Sequence, residues 1–406
     1  MAVYYIDPKQ GKKENSGLTE KEPLQTNREL SLQPGDTVLF KRGSVIRDAL
    51  WNVEGSEGQP ITYGAYGTGA APVFCGSVDL SDTALWTEVR EHIWKCTKEL
   101  ETAVCNFVFD DDQFGALVWE EEQLGQNGDW WDSGFSNDGE KILQHETLLY
   151  CEKNPAEYYK HIEGVLYRYR SLAATGHDMI IRDLTFCNNG VHAIAGEGPV
   201  RNMKIINCQF SHIGGCVWSL KQKIRFGNGV ECWNVAENVL VEGCRFDDIY
   251  DSAVTHQGGD SCEPAKGFYI RNNIFSRCGM AAYEQRDCLP KDGEFVGNLC
   301  RDAGKGFSHV RTSLPRNSEI WPQPMGHHIF LWRIEEADAD THFLIGNNTF
   351  QDAPYGAAIY SIIDAKAEEK MTFAHNRYEM QEFELIAYLR GQSWMEAEQV
   401  YKITEQ

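Results

Sequence analysis

The chain alternates apolar and polar residues in short runs, and from about residue 178 these runs recur as one unit. The units read MIIRDLTFCNNG, MKIINCQFSHIGG, VLVEGCRFDDIYD, FYIRNNIFSRCG, FVGNLCRDAG, FLIGNNTFQDAPYG and MTFAHNRYE. Each has period-two alternation, then an aromatic or apolar residue, then a polar turn, which is a strand pattern rather than a helical one. Aligned on that residue, the column is Phe186, Phe210, Phe246, Phe275, Cys300, Phe350 and Tyr378, with spacings of 24, 36, 29, 25, 50 and 28 residues. A base period of about 24 residues is the length of one coil of a parallel β-helix, in which short strands are joined by turns and successive coils stack. Two positions before the column stand Cys208, Cys244, Asn273, Asn298, Asn348 and Asn376. Asn recurring at one coil position predicts a ladder of side-chain amides hydrogen-bonded along the axis.

The residues in excess of the base period fall at one place in the coil, at 219–230, 257–267, 286–293 and 310–341. Repeat proteins carry such insertions on one face, usually the binding face, so a groove is expected beside a wall of loops. The expected architecture is all-β: a right-handed parallel β-helix with an inserted β-rich subdomain and a C-terminal cap. Residues 1–80, with Gly-punctuated strands in GDTVLFKRG and PITYGAYGTGAAPVF, form the N-terminal cap and first coils. Residues 81–165 break the rhythm with FDDDQFG, WEEEQLG and GDWWDSG and read as the inserted subdomain. Residues 166–380 form the β-helix with its groove, and 381–406 have helical spacing and close the open end.

Aligning the strands VHAIAG (191–196), CVWSLK (216–221), SAVTHQ (252–257), AAYEQR (281–286) and GFSHVR (306–311) sets candidate chemistry on the loop wall. One column then holds Ala195, Ser219, Thr255, Glu284 and His309, and two positions on lie Lys221, Gln257, Arg286 and Arg311. Asp251 and Glu284 fall on adjacent coils, which are about 4.8 Å apart. Two carboxyl groups about 5–9 Å apart are what glycoside hydrolysis requires, one as acid and one as base or nucleophile. Turn Asp residues also cap backbone amides, which is the plain structural reading of Asp251. Glu284 in a strand needs a partner, for which Arg286 and Arg311 are placed. His192, His256, Arg286, His309 and Arg311, with Glu231 and Asp287, are candidates for substrate binding in the same zone. Trp218, Trp233, Trp321 and Trp332 lie in or near the loop wall. Trp218 and Trp321 are candidates for substrate binding, with Trp321 the expected sugar platform, and Trp233 reads as core.

Composition narrows the function. The net charge of −22 argues against a nucleic-acid partner and against an anionic membrane surface, because either needs clustered Lys and Arg. The start MAVYYIDPKQGKKENSG has no basic segment followed by an apolar run, and the 13 Cys residues are an odd number set largely in strand-like segments. Both features lead to the expectation of a cytoplasmic protein with reduced thiols. No C-x-x-C pair occurs, and the triplet Asp110–Asp112 lacks the spacing of a calcium loop, so no metal and no cofactor are expected. The expected partner is an oligosaccharide, and self-association stays open.

Several segments carry a family resemblance: GDTVLFKRG, PITYGAYGTGAAPVF, NPAEYYKHIE, NGVECWNVAENVLVEGCRFDDIYDSAVTHQG and AAYEQRD. They resemble bacterial right-handed parallel β-helix proteins of the pectate-lyase-like superfamily, above all glycoside hydrolases like families 141 and 120, which act on xylan, xylo-oligosaccharides or fucosides. The YDSAVTHQG and YEQRD segments look like the acidic site segments of those enzymes, which implies Asp251 and Glu284 as the catalytic pair. The superfamily also holds lyases and epimerases, so a polysaccharide lyase or uronate epimerase is the second expectation, with Lys221, Arg286 and Arg311 as the needed cations. A non-catalytic carbohydrate-binding solenoid is the third.

Overall fold

The protein is represented by a computed structural model that describes residues 1–50, 54–110, 112–137, 142, 144–167, 172–173, 176–196, 198–310 and 325–405. Its body is a parallel β-helix built from three stacks of strands. The first sheet has ten strands, from Val3–Ile6 to Met371–Ala374, and the second has nine, from Val45–Ile46 to Arg377–Glu379. The third begins at Val230–Trp233 and continues through Ser252–Gln257, Ala281–Arg286, His327–Trp332, Ala357–Ile362 and Leu385–Leu389. Isolated parallel bridges Leu50–Ala173, Ala173–Ile194 and Ile194–Val230 extend this third wall toward the N-terminus. Crossovers between parallel strands are right-handed for steric reasons, and the coil takes that hand.

The corner between the first and second sheets explains the repeating sequence. The residue that follows each of the last seven strands of the first sheet, from His177–Arg182 onward, is left-handed: Asp183, Asn207, Gly243, Asn272, Gly297, Asn347 and His375 have φ between 52° and 69°. Asn, Asp and Gly tolerate that region best, which is why they recur there. The next residue turns inward. There Asn273, Asn298, Asn348 and Asn376 form the ladder: each Nδ2 donates to a strand carbonyl of the preceding coil, and each of the first three also donates to the next Asn Oδ1. Backbone N–H groups of Asn273, Asn298 and Asn348 donate to the same oxygens at 2.9–3.2 Å. Two residues on, the aromatic column pairs in register, Phe186 with Phe210, Phe210 with Phe246, Phe246 with Phe275. Its rings stack at 5.4, 4.4 and 5.0 Å.

Strands between Ser77 and Leu166 form two further sheets around a separate core of Leu80, Trp86, Phe107, Phe109, Trp130 and Leu149. The buried Arg225 ties this unit to the solenoid, donating to Cys105 O at 3.0 Å and Gly215 O at 2.7 Å while lying 4.6 Å over the Tyr250 ring.

Two expectations need correction. The C-terminal segment is helical only at Ala397–Thr404, and Leu385–Leu389 and Gln392–Trp394 form an antiparallel hairpin on the third sheet. The alternation in LIAYL, not the helical spacing, decides that stretch. The closing helix still ends the ladder, since Glu405 Oε1 accepts from the Asn376 N–H. In the long last insertion the third-sheet strand is HHIFLW at 327–332, after the extra residues, not GFSHVR before them. Among the described residues no helix is long and apolar enough to cross a membrane.

Asn348 sits mid-ladder, so Asn348→Ala leaves buried groups of Asn298 and Phe295 unpaired. We expect a loss of about 3 kcal/mol of stability, read as a fall in the urea midpoint with little change in the slope.

Candidate active site

Alternation on the third sheet sorts its residues between the inside of the solenoid and its outer face. Val254, Tyr283, Ile329, Leu331 and Ile359 belong to the main core, whereas Phe330, Trp332 and Tyr360 form a separate outer cluster. Register then defines an outer column of Glu231, Thr255, Glu284, Phe330 and Tyr360. Thr255 and Glu284 pair as the sequence alignment places them. Ser219 and His309 do not share the column. The stretch Cys216–Ser219 turns out into a hairpin with Ile224–Phe226, and Glu231 takes the place opposite Thr255. Lys221 follows that hairpin strand, so Trp233 rather than Lys221 faces Gln257.

Three carboxylates gather on this wall, and all are buried: Glu231, Asp251 and Glu284 are 8%, 3% and 1% exposed. A chain of hydrogen bonds connects two of them. Asn228 Nδ2 and Gln257 Nε2 donate to Glu231 Oε2 at 2.7 and 2.8 Å. The Ser252 N–H donates to Asn228 Oδ1 at 3.0 Å, and Ser252 Oγ donates to Glu284 Oε2 at 3.0 Å. Trp332 Nε1 donates to Glu284 Oε1 at 2.7 Å, so both oxygens of Glu284 are held in one orientation. Asp251, directly before Ser252, accepts from the Gly227 N–H at 3.3 Å through Oδ2. Thr255 Oγ1 and Gln257 Oε1, on the same face, are buried without a hydrogen-bond partner among the described residues. Buried polar atoms are nearly always paired, and these two oxygens are acceptors still open to a donor.

His192 joins this network. Its Nδ1 accepts from the Asn228 N–H at 3.0 Å, which puts the ring proton on Nε2, 3.6 Å from Glu231 Oε1. The other described candidates stand outside this hydrogen-bond network. His256 is turned into the core, fully buried, with Nδ1 accepting from Gln285 Nε2 at 3.1 Å, so it does not face the outer wall. The reason is the two-residue period: Thr255 and Gln257 point out and His256 between them points in. Asp287 accepts from the Gly258 and Gly259 N–H groups and lies 3.4 Å from Arg286 and 3.3 Å from Arg333, so it ties two loops together. Arg286 also stacks 5.2 Å over Trp332. Trp218 is 44% exposed on the hairpin, edge-on to Phe226. Arg311 and Trp321 lie outside the described residues.

Sequence reading missed Asn228 and Ser252, which carry the network, and did not link Trp332 to Glu284. Ser252 stands next to Asp251 in the sequence, but only the register shows that it reaches Glu284. Among the described residues, two side-chain groups could bring metal ligands together. In the first, Asp112, His212 and Asp248, the cation is already supplied by Arg277, 2.8 Å from Asp248 and 3.7 Å from Asp112. The second is His256, Cys262 and Cys288. An open hollow of about 530 Å³ on the first sheet, lined by Asn238, Lys266, Tyr269, Lys291 and His342, has its lysines paired with Glu237 and Asp340.

No family model and no curated protein matches the chain. Solved structures do match. The lacto-N-biosidase of family GH136 from Eubacterium ramulus aligns with 95% of this chain at 18% identity and TM-score 0.54, and the chain spans 57% of that protein's length. XylC in complex with xylose aligns with 97% of this chain and 73% of its own, at 11% identity and TM-score 0.55. A further glycoside hydrolase aligns with 94% of this chain and 95% of its own, at 10% identity and TM-score 0.55. At these identities the likeness is one of fold.

His309 lies in a short helical turn, stacked 4.5 Å from Tyr355, and burial pushes its imidazole down to about 4. Burial pushes His328, whose Nε2 meets Gln351 O at 3.1 Å, down to about 3. Both lie below the unfolded value of about 6.5. Their contribution to stability is complete above that pH and is lost as the pH falls toward 4, because the unfolded chain takes up protons the folded one refuses. We expect about 1–2 kcal/mol to be lost from His309 between pH 7 and pH 5, and His309→Gln to reduce the pH dependence of the urea midpoint.

Proposed function

We propose that this chain is a glycoside hydrolase acting on oligosaccharides at the outer wall of the third sheet, with Asp251 and Glu284 as its acid and its base or nucleophile. The observation that carries this reading is the gathering of buried carboxylates on neighbouring rungs beside the unpartnered Thr255 Oγ1 and Gln257 Oε1. Cleaving a glycosidic bond needs one carboxyl group to protonate the leaving oxygen and another to activate water or attack the anomeric carbon. The register supplies acids from strands far apart in sequence, and Ser252 and Trp332 hold Glu284 still. Glu231, steadied by Asn228, Gln257 and His192, is placed to bind sugar hydroxyls. Fold neighbours named as a lacto-N-biosidase and as a xylose complex support a saccharide substrate. The lyase reading has weaker support, because Arg286 is matched by Asp287 and Lys221 follows the hairpin strand.

A panel of aryl glycosides tests the assignment. We expect Glu284→Gln and Asp251→Asn each to lower kcat/KM by at least about 100-fold with the melting temperature little changed. Undiminished turnover in either variant removes that residue from the pair. Trp218→Ala, which deletes an exposed aromatic face, is expected to raise KM by about 5-fold while kcat holds, since stacking contributes about 1 kcal/mol to binding.

A further inference from the structure

We propose that Cys262 and Cys288 are an oxidisable pair that closes into a disulfide and locks together the two loops beside the candidate site. Cys262 lies in the loop after Ser252–Gln257 and Cys288 in the loop after Ala281–Arg286. Their Sγ atoms are 2.6 Å apart. The loops are brought together by other contacts as well, since Asp287 accepts from the Gly258 and Gly259 N–H groups. The sulfurs therefore do not depend on their own bond to meet.

The two thiols differ in a way that suits a two-step reaction. Cys262 is partly exposed, and the hydrogen bond from Cys288, with a smaller contribution from His256, lowers its thiol to about 6. Cys288 is buried, and donating that hydrogen bond, together with burial, pushes its thiol up. Cys262 is the thiolate that reacts first, and Cys288 is the resolving thiol.

A metal is the competing occupant, and the geometry disfavours it. Two thiolates on one tetrahedral zinc stand about 3.8 Å apart, given Zn–S distances of about 2.3 Å. His256 is also wrongly protonated for a ligand. Gln285 accepts from the Tyr283 hydroxyl and donates to both Cys288 O and His256 Nδ1. The imidazole proton is thus on Nε2, which faces Asn234 O at 3.2 Å and Cys262 Sγ at 3.9 Å. That nitrogen donates to the thiolate rather than binding a cation.

The oxidant is a low-molecular-weight disulfide. The Cys262 thiolate attacks one sulfur, a Cys262 mixed disulfide forms, and one small thiolate leaves. Cys288 then loses its proton and attacks Cys262 Sγ, and the second small thiolate leaves. One small disulfide is reduced to two thiols as the protein's two thiols become one disulfide.

Oxidised glutathione, added to the full chain, tests this by intact mass and peptide mapping. We expect a loss of about 2 Da, a new cross-linked peptide joining Cys262 to Cys288, and reversal by a reductant. Oxidised wild type should melt several degrees higher than the reduced protein, as a closed loop restrains the unfolded chain, and Cys262→Ser should show no such shift. Cys288→Ser should instead accumulate a mixed disulfide with glutathione at Cys262. If that variant does not fold, the wild-type peptide map decides alone. Both thiols remaining free after treatment, or one zinc per chain that shields both from alkylation, overturns the proposal.

Discussion

The structure depends on keeping successive coils in register, and the corner between the first and second sheets enforces it. A left-handed residue turns the chain, and the next side chain points inward onto the ladder of Asn273, Asn298, Asn348 and Asn376. In a strand, a slip of one residue would exchange inner and outer faces. Here such a slip would also bury the left-handed Asn or Gly where the ladder amide belongs and break several buried hydrogen bonds at once. The ladder is thus a register device, and the aromatic column two residues on fills the space it fixes.

The candidate site is a consequence of that register. Because the rungs align, Glu231, Thr255 and Glu284 stand in one line although far apart in the chain. Because the strands alternate, His256 and Gln285 between them face inward and serve the core. The third wall also becomes regular only at Val230, where the hairpin of residues 216–226 leaves it. The departing hairpin carries the exposed Trp218 and meets the inserted unit through Arg225. The same detour that breaks the solenoid's rhythm therefore frames the carboxylates.

Burial sets the terms for polar chemistry on this wall. A buried carboxylate is tolerated only with donors around it, and Ser252, Trp332, Asn228 and Gln257 supply them. These donors also remove rotational freedom, which is the preorganisation that catalysis or binding uses. The loops beyond the strands are joined in turn by Asp287 and by the close approach of Cys262 and Cys288.

The repeat, its period, the Asn ladder and the β-helix were legible in the sequence, because each coil meets the same corner and the same core and so repeats the same residue types. Thr255 beside Glu284 was legible for the same reason, as their coils are nearly regular. Where a coil is interrupted the signal failed. Nothing in CVWSLK marks it as a hairpin strand, and nothing in GFSHV marks its Phe307–His309 as a short helical turn, since local alternation is the same whether a strand joins the stack or leaves it. So Glu231 in place of Ser219, the inward turn of His256 and the roles of Asn228, Ser252 and Trp332 were decided only by tertiary structure. Apart from the Asn228–Glu231 bond, three positions apart, those contacts join residues 24 to 48 positions apart, and no local pattern encodes a partner at that distance.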